Sequence, residues 1–251
     1  MDAIGDREEL WGYDKPLLAT LKQAAKWIDE LGFALLFEHK GQALPALWVR
    51  ATTPTPHEKF DWGPEAEVVW SWKDELPKRG LAWYGHFVNG RKSFLSPTML
   101  RALYPSPGRA DDFRGLDLSP DARRIAEVLL PSGPQSAATL REATGLRGAS
   151  FDRAIKELGR ALVITHHGTE DQGAGWPSSV FELTARAFDV RGARDLDAAA
   201  ERFLRTVLTC QPNHLARACN LTSARATTLL DALVARGITS KQGSRYTLTA
   251  G

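Results

Sequence analysis

The stretches TLREATGLRGASFDRAIKELGRALVI (residues 139–164) and HLARACNLTSARATTLLDALVARGIT (residues 214–239) carry the same apolar pattern at an offset of 75 residues. Nine apolar positions recur in one order, six of them without a gap. A small helical unit that is repeated and ends in two short strands is typical of domains that read DNA. The matched pairs are Leu140/Leu215, Ala143/Ala218, Leu146/Leu221, Ile155/Leu230, Leu158/Leu233, Val163/Ile238, Ile125/Phe203, Leu129/Val207 and Leu130/Leu208.

Start and stop signals around the repeat predict two winged-helix domains. Ser119 and Pro120 have the residue types of a helix N-terminus, and Gly145 can end the second helix. The predicted helices lie near 120–130, 136–143, 149–161, 197–208, 212–219 and 222–236, and the strands at 162–167, 179–184, 238–241 and 245–249. The predicted fold is mainly α with small β-wings, with tandem winged-helix (helix-turn-helix) domains at 119–189 and 197–251.

Residues 1–118 form a Trp-rich N-terminal region that we expect to be α/β, and it can hold a third, diverged winged helix. An amphipathic helix is predicted over 16–31, with Gly32 as its stop. The pattern of residues 65–76 is compatible with either a helix or a strand. Residues 81–95 predict a hairpin with an Asn89-Gly90 turn, and residues 105–118 predict a linker.

The composition is that of an ordinary globular protein. Of the 251 residues, 43% are apolar and 25% are charged, and the net charge is +2. The absence of an 18-residue apolar run predicts no membrane span, and the polar, acidic N-terminus argues against a signal peptide. We therefore expect a cytoplasmic, nucleoid-associated monomer. Cys210 and Cys219 are expected to be free core thiols. We predict neither a metal nor a cofactor.

Positive charge concentrates on the two repeated units. Residues 119–165 carry seven basic and five acidic side chains, and residues 197–251 carry seven and three. Residues 1–118 carry 15 and 17, so the first part of the chain is slightly acidic. This distribution favours a phosphate-facing surface on the repeats, although a solvated face with chance asymmetry explains the charges equally well.

The third helix of a winged helix turns one face to its own core and the opposite face to the DNA major groove. Outward positions on these helices carry hydroxyl and cationic side chains, the types that contact phosphates and base edges. Wing residues and the residues after the Asn89-Gly90 turn can reach flanking phosphates. The predicted DNA-binding residues are Arg91, Lys92, Ser150, Arg153, Lys156, Ser223, Arg225, Thr227, Thr228, Lys241 and Arg245.

Two histidines, His166 and His167, fall on a predicted wing strand. Neighbouring residues of a strand point to opposite faces, so this pair is a poor metal site. We therefore leave both residues out of the predicted site.

Seven of the eight tryptophans lie before residue 84, more than the core of a small domain needs. Trp27 and Trp48 are assigned to the core. The others stand in a more polar setting and predict an aromatic cleft where bases or a partner can stack. The predicted cleft residues are Trp62, Trp70, Trp72 and Tyr84.

Three segments of this region, LPALW (44–48), WSWKDELP (70–77) and WYGHFVNGRKSFLS (83–96), are followed by the two predicted winged helices. Together they resemble a bacterial family described as AlkZ-related, which is related to the AlkZ/YcaQ-type DNA glycosylases. The resemblance covers most of the chain. It implies a protein that binds duplex DNA and excises damaged, modified or crosslinked bases.

The chain departs from the characterised enzymes of that superfamily at their catalytic motif. Those enzymes carry Gln-x-Gln or Gln-x-Asp soon after the first helix, whereas residues 32–38 here read GFALLFE. Hydrolysis would then need another carboxylate to orient water and offset the oxocarbenium charge. The candidate catalytic residues are Glu38, Asp61, Asp74 and Glu75, with His86 as a proton donor or lesion contact and Lys73 as an amine nucleophile.

Two functions of different class remain open from the sequence. The first is a DNA-repair protein, either a glycosylase or a lesion-binding relative of one, acting on double-stranded DNA. The second is a non-enzymatic transcription regulator whose aromatic cleft senses a ligand. A scaffold that binds only protein is a third alternative, and it predicts no salt-dependent DNA binding.

Overall fold

A computed structural model describes residues 3–39, 44–53, 63–105, 107–173 and 176–249. Within these ranges the chain is mainly helical and has three small antiparallel sheets of three strands each. This agrees with the predicted class of helices with small β-hairpins. Two of the predicted site residues, Asp61 and Trp62, lie outside the described ranges.

We define unit one as residues 21–95. It is preceded by helix α1 (Ala3–Leu10) and followed by helix α5 (Pro97–Leu103). The elements of unit one are α2 (Leu21–Leu31), β1 (Phe33–Leu35), α3 (Leu47–Ala51), α4 (Pro64–Lys78), β2 (Trp83–His86) and β3 (Lys92–Leu95).

Helix α2 begins later than the sequence predicts. The Thr20 side chain accepts a hydrogen bond from the Gln23 amide, and the Gln23 side chain accepts one from the Thr20 amide. This capping box fixes the start at Leu21 and leaves Pro16 outside the helix. Gly32 ends the helix as predicted, with a φ of 87° that favours glycine. Residues 65–76, ambiguous in the sequence, lie within helix α4.

Units two and three contain the repeated sequences. Unit two spans residues 120–183 and comprises α6 (Pro120–Ser132), β4 (Gln135–Ser136), α7 (Ala137–Thr144), α8 (Gly148–Arg160), β5 (Ile164–Glu170) and β6 (Ser178–Leu183). Helix α9 (Thr184–Ala187) follows. Unit three spans residues 196–248 and comprises α10 (Leu196–Val207), β7 (Thr209–Cys210), α11 (Pro212–Ala218), α12 (Ser223–Ala235), β8 (Thr239–Gln242) and β9 (Arg245–Leu248).

The three units share one order of elements, helix–strand–helix–helix–strand–strand. In each sheet the last strand lies in the middle, so the strand orders are β1-β3-β2, β4-β6-β5 and β7-β9-β8. The predicted core faces of the third helices are buried in units two and three. These residues are Phe151, Ala154, Ile155 and Leu158 on α8, and Ala226, Leu229, Leu230 and Leu233 on α12.

Unit one packs against both other units. Towards unit three, the Phe33 and Phe203 rings stack at 5.6 Å, and the Thr206 hydroxyl donates to the Leu31 carbonyl at 2.6 Å. Towards unit two, α8 packs on β2 at Gly159, where a Cβ would lie 3.1 Å from the His86 amide nitrogen. These contacts place the β5–β6 hairpin beside α4.

Residues 110–118, part of the segment predicted as a linker (105–118), pack against unit two instead. Phe113 is 1% exposed and belongs to the core of that unit. Asp112 is also buried, and its carboxylate accepts hydrogen bonds from the Gly108 and Arg109 amides at 2.7 Å. Gly108 and Asp112, two of the residues that indicated a linker, form this turn. In the part of the chain that the structure describes, no helix is long and apolar enough to cross a membrane.

Candidate active-site cleft and basic groove

A cleft of 570 Å³ lies between unit one and the β5–β6 hairpin of unit two. One wall consists of α4 and the β2–β3 face, and the other is the hairpin. The residues lining it are Leu36, Phe37, Glu67, Trp70, Ser71, Lys73, Asp74, Tyr84 and Lys92 from unit one, and His166, Thr169, Trp176, Pro177 and Ser179 from unit two.

Helix α4 supplies the charged floor of the cleft. Gly63 and Pro64 start the helix, and Trp70, Lys73 and Asp74 follow at i, i+3 and i+4, the spacing that places side chains on one helical face. The Lys73 ammonium lies 4.5 Å from the centre of the Trp70 ring. The floor therefore combines a cation, a carboxylate and an aromatic surface.

Asp74 is held by two donors that bind the same oxygen. Its Oδ1 lies 2.5 Å from His166 Nε2 and 2.7 Å from Lys73 Nζ. No described residue hydrogen bonds to Asp74 Oδ2. Both partners are buried, whereas the Asp74 side chain keeps 18% of its surface exposed. The carboxylate is therefore fixed in position with one oxygen available to a ligand or to water.

The surroundings keep this carboxylate ionised. Burial by itself would raise the pKa of Asp74, but the hydrogen bonds from His166 and Lys73 outweigh it and lower the pKa. Burial lowers the pKa of His166, although Asp74 opposes the shift, so the imidazole is neutral near pH 7. Since an ionised carboxylate only accepts hydrogen bonds, the His166 proton must be on Nε2.

Aromatic rings cover the rest of the cleft. Tyr84 stacks on Phe94 at 4.6 Å and meets the His166 ring edge-to-face at 5.6 Å. The Lys92 ammonium lies 5.3 Å from the centre of the Tyr84 ring. At the rim, Trp176 is 79% exposed, an unusual position for the largest apolar side chain. Flat ring surfaces thus surround the charged floor.

The structure brings together five of the predicted site residues in this cleft, among them Lys73, the candidate amine nucleophile. Asp74, Trp70 and Tyr84 line it as catalytic and aromatic candidates, and Lys92, predicted as a phosphate contact, lines it too. Trp72 does not, because it lies on the opposite face of α4 and is 5% exposed in the core of unit one.

Among the described residues, three other catalytic candidates lie outside the cleft lining. Glu38 is exposed, and Glu75 forms an ion pair with Arg79 at 2.8 Å. His86 is half-buried against α8. Burial and the nearby Lys92 lower the pKa of His86 to about 4, so this residue holds no proton to donate near pH 7 as an imidazolium.

Two cleft residues were missed by the sequence reasoning. His166 was set aside with its neighbour as a poor metal pair, and Trp176 stands apart from the tryptophan-rich region. The sequence does contain a signal for the burial of His166. In ITHHG (164–168), His166 lies on the same strand face as the apolar Ile164, and this position predicts a buried side chain. Its partner Asp74 lies 92 residues away, and no local pattern reveals that pairing.

A second, basic groove of 480 Å³ lies where the three units meet. Three arginines line it, Arg91 after the first hairpin turn, Arg160 at the end of α8 and Arg217 on α11, and no acidic side chain does so among the described residues. Asn220 binds Arg160 through a side-chain hydrogen bond of 3.2 Å. The other lining residues are Asn89, Gly90, Asn213, Ala216, Leu221 and Ser223.

Of the predicted DNA contacts, Arg91 and Ser223 line this groove. The side chains of Arg153, Lys156, Arg225, Thr228, Lys241 and Arg245 are exposed, and those of Ser150 and Thr227 are half-buried. Lys241 also forms an ion pair with Asp231 at 2.8 Å. Lys92 lines the cleft instead of the groove.

Among the described residues, no group of three or more His, Cys, Asp or Glu side chains is placed to hold a metal ion. In the described residues, the protein is mainly helical with three small sheets, and its aromatic cleft contains a cluster of one carboxylate, one histidine and one lysine. The model of a family described as "AlkZ related" matches residues 18–220, so the chain belongs to the AlkZ-related family. No curated protein matches the chain. At the family level, this membership suggests a DNA-repair-related, glycosylase-like protein.

Proposed function

We propose that this protein is a DNA-repair glycosylase that acts as a monomer on double-stranded DNA and hydrolyses the N-glycosidic bond of damaged, modified or crosslinked bases. The proposal rests on the environment of the Asp74 carboxylate. Its Oδ1 is held by His166 and Lys73, while its Oδ2 has no partner among the described residues. A fixed, ionised carboxylate in an aromatic cleft suits glycosidic hydrolysis.

The chemistry demands such a group because the sugar gains positive charge as the glycosidic bond breaks. A carboxylate that is already oriented stabilises the oxocarbenium-like transition state without reorganisation, and it can also orient the attacking water. In this proposal Asp74 Oδ2 performs that role. His166 and Lys73 are positioning residues that keep the carboxylate ionised and stationary.

The aromatic walls suit a base that has left the duplex. Enzymes that act on a base rotate it out of the stack and bind it between aromatic or apolar side chains. The cleft volume of 570 Å³ falls in the usual range of small-molecule sites, about 300–1,000 Å³. We assign Trp70 and Tyr84 to contacts with the extrahelical nucleoside, and the exposed Trp176 to stacking at the rim.

We further propose that all three units are winged helices, since they share one order of elements and one strand order. The duplex would lie on the basic groove of Arg91, Arg160 and Arg217 and on the outer face of α12. Among the described residues, no acidic side chain lines the groove. Guanidinium groups are well suited to phosphate oxygens, which they bind in bidentate fashion.

The test is base release from alkylated and from crosslinked duplex DNA, read as strand breaks after alkali. We expect release by the wild type, and a loss of about 100-fold or more in Asp74→Asn, the size of effect typical for a general acid or base. The matched control is Asp29→Asn, an exposed aspartate on α2 far from the cleft in sequence and outside its lining. Equal rates for Asp74→Asn and the wild type would refute the assignment.

The same protein samples separate repair from regulation. Fluorescence anisotropy with undamaged and abasic duplex at two salt concentrations measures affinity and its salt dependence. A glycosylase is expected to prefer the abasic duplex. Binding to one operator sequence without base release would instead support a regulator with a ligand-sensing cleft, and an absence of salt-sensitive binding would support a scaffold.

A further inference from the structure

The cleft contains a second lysine that the proposed hydrolysis does not use. Lys92 begins strand β3 and lies opposite His86 in the antiparallel ladder. It lines the cleft together with Asp74 and Tyr84, and its ammonium lies 5.3 Å from the centre of the Tyr84 ring. The amine therefore faces the same space as the proposed catalytic carboxylate.

The two lysines of the cleft differ in their contacts. Lys73 donates a hydrogen bond of 2.7 Å to Asp74 and is held in an ion pair. Lys92 has neither an ion pair nor a hydrogen bond from its ammonium to any described residue. A lysine that is sheltered from water but unpaired loses part of its preference for the charged form, so its neutral amine becomes accessible.

Electrostatics point in the same direction. Burial lowers the pKa of Lys92 to about 8, and the positive charge of Lys73 adds to the shift, while Asp74 opposes it. The charged or titratable groups around Lys92 include Lys73 and Asp74 on α4, Tyr84 and His86 on β2, Lys156 on α8 and His166 on β5. A sizeable fraction of Lys92 is thus a neutral amine near pH 8.

We propose that Lys92 is an amine nucleophile and that the protein is also an abasic-site lyase, which forms an imine with the deoxyribose aldehyde and cleaves the strand. The inference rests on the proposed function in one respect: an abasic site is the product that base release would leave in the same cleft. It concerns a different bond and assigns a new residue, Lys92, as the nucleophile, while Asp74 takes part in both reactions.

The reaction balances without an oxidant or reductant. The Lys92 Nζ lone pair attacks the C1′ aldehyde of the ring-opened abasic sugar, and the resulting carbinolamine loses water to form an imine. This imine takes up a proton from solvent, and loss of a C2′ proton to Asp74 Oδ2 then gives a neutral enamine. The enamine electrons break the C3′–O bond, the 3′ phosphate leaves as the anion, and a conjugated protonated imine remains. Water hydrolyses the imine, which returns free Lys92 and releases an unsaturated aldehyde.

Borohydride trapping on a duplex with a ready-made abasic site tests this inference, because reduction of an imine links protein and DNA permanently. We expect a covalent complex with the wild type, a yield at least about ten-fold lower with Lys92→Arg, and peptide mapping of the linkage to Lys92. Arginine keeps the positive charge but lacks the nucleophilic amine. Lys22→Arg, on the exposed side of α2, is the matched control and should trap like the wild type.

Three results would overturn the inference: no trapped complex with the wild type, undiminished trapping with Lys92→Arg, or a linkage mapped to another amine. The supplied abasic site makes trapping independent of base release. Circular dichroism of Lys92→Arg shows whether the variant is folded, and peptide mapping of the wild-type linkage to Lys92 supports the lyase step independently of any variant. Absence of trapping with intact base release refutes the lyase alone, whereas trapping without base release refutes the glycosylase alone.

Discussion

Unit one and unit three have the same order of helices and strands, but their third helices meet different surroundings. Helix α4 of unit one is covered by strand β5 of unit two, and the covered face carries Trp70, Lys73 and Asp74. Helix α12 of unit three leaves Ser223, Arg225 and Thr228 exposed. One arrangement of elements thus supports an enclosed polar cluster in one copy and an open cationic face in another.

The difference shows that the pattern of core residues and the function of the outer face are separate properties of a repeat. The core face of each third helix is apolar in both units. The outer faces of the two helices differ in their surroundings: the outer face of α4 packs against the β5–β6 hairpin, whereas that of α12 is exposed to solvent. We therefore propose that unit one carries the catalytic carboxylate and that unit three holds the DNA.

The largest effect is expected from the two tryptophans of α4, which lie on opposite faces. Trp72→Ala should lower the free energy of unfolding by about 3–5 kcal/mol, because it empties a buried core position. Trp70→Ala should lower it by less and should instead weaken binding of abasic duplex. Urea unfolding and anisotropy on both variants check this. A larger stability loss for Trp70→Ala would place Trp70, not Trp72, in the core.

The open face of unit three is tested by charge reversal. The pair Arg225→Glu with Arg245→Glu should weaken duplex binding and reduce the slope of log affinity against log salt by about 2, roughly one for each lost phosphate contact. Anisotropy titrations across a salt series measure both quantities. Unchanged affinity and slope would mean that unit three does not face the DNA.

The enclosed cluster of unit one makes stability depend on pH. Since burial lowers the pKa of His166 in the folded protein, the unfolded chain binds a proton more readily, and stability falls as pH drops through the ordinary histidine value of 6.5. Asp74 does not contribute in this window, because it is ionised in both states. The measurement is urea unfolding at about pH 7.5 and about pH 5.5.

Two variants isolate this contribution. In His166→Gln the difference in stability between the two pH values should shrink. The exposed His214→Gln of unit three should reduce it less, since His214 loses less contact with water on folding. A pH dependence that His166→Gln leaves unchanged would show that His166 does not titrate as the buried partner of Asp74.

The smallest effect concerns a position that the two repeated units share. Gly145 and Asn220 are 75 residues apart, and both have a positive φ, 70° and 52°. Gly145→Ala should cost about 1 kcal/mol, because alanine disfavours this conformation. Nothing lies within 4 Å of the place a Cβ would occupy, so no clash contributes. Gly145→Asn should lower the stability by less than Gly145→Ala. Urea unfolding midpoints of both variants measure this difference. An equal loss of stability would contradict the equivalence of the two turns.

Much of the fold follows from local sequence. Ser119 caps α6 through its side chain, Gly145 ends α7, and the apolar spacing marks the core faces of α8 and α12. These features depend on residues within one or two turns of each other, so a single sequence reveals them. The Thr20 capping box was equally local but was overlooked in favour of Pro16, which moved the predicted start of α2 by five residues.

The candidate site follows from the sequence only in part. Trp70 and Asp74 lie in segment 70–77 and Tyr84 in segment 83–96, and both segments also carry the family resemblance. Their partner His166 belongs to another unit, and the pairing depends on how the β5–β6 hairpin packs against α4. The basic groove also depends on packing between units, because Arg91, Arg160 and Arg217 each belong to a different unit. Contacts between units leave no periodic trace in a sequence.

The most direct test of the division between units is a single-turnover experiment on one damaged duplex, in which affinity and the rate of base release at saturating protein are measured together. We predict that Asp74→Asn keeps its affinity and loses release, whereas Arg225→Glu with Arg245→Glu loses affinity and keeps the rate once saturated. If Asp74→Asn releases bases at the wild-type rate, or if the double variant binds as tightly as the wild type, the proposed division is contradicted.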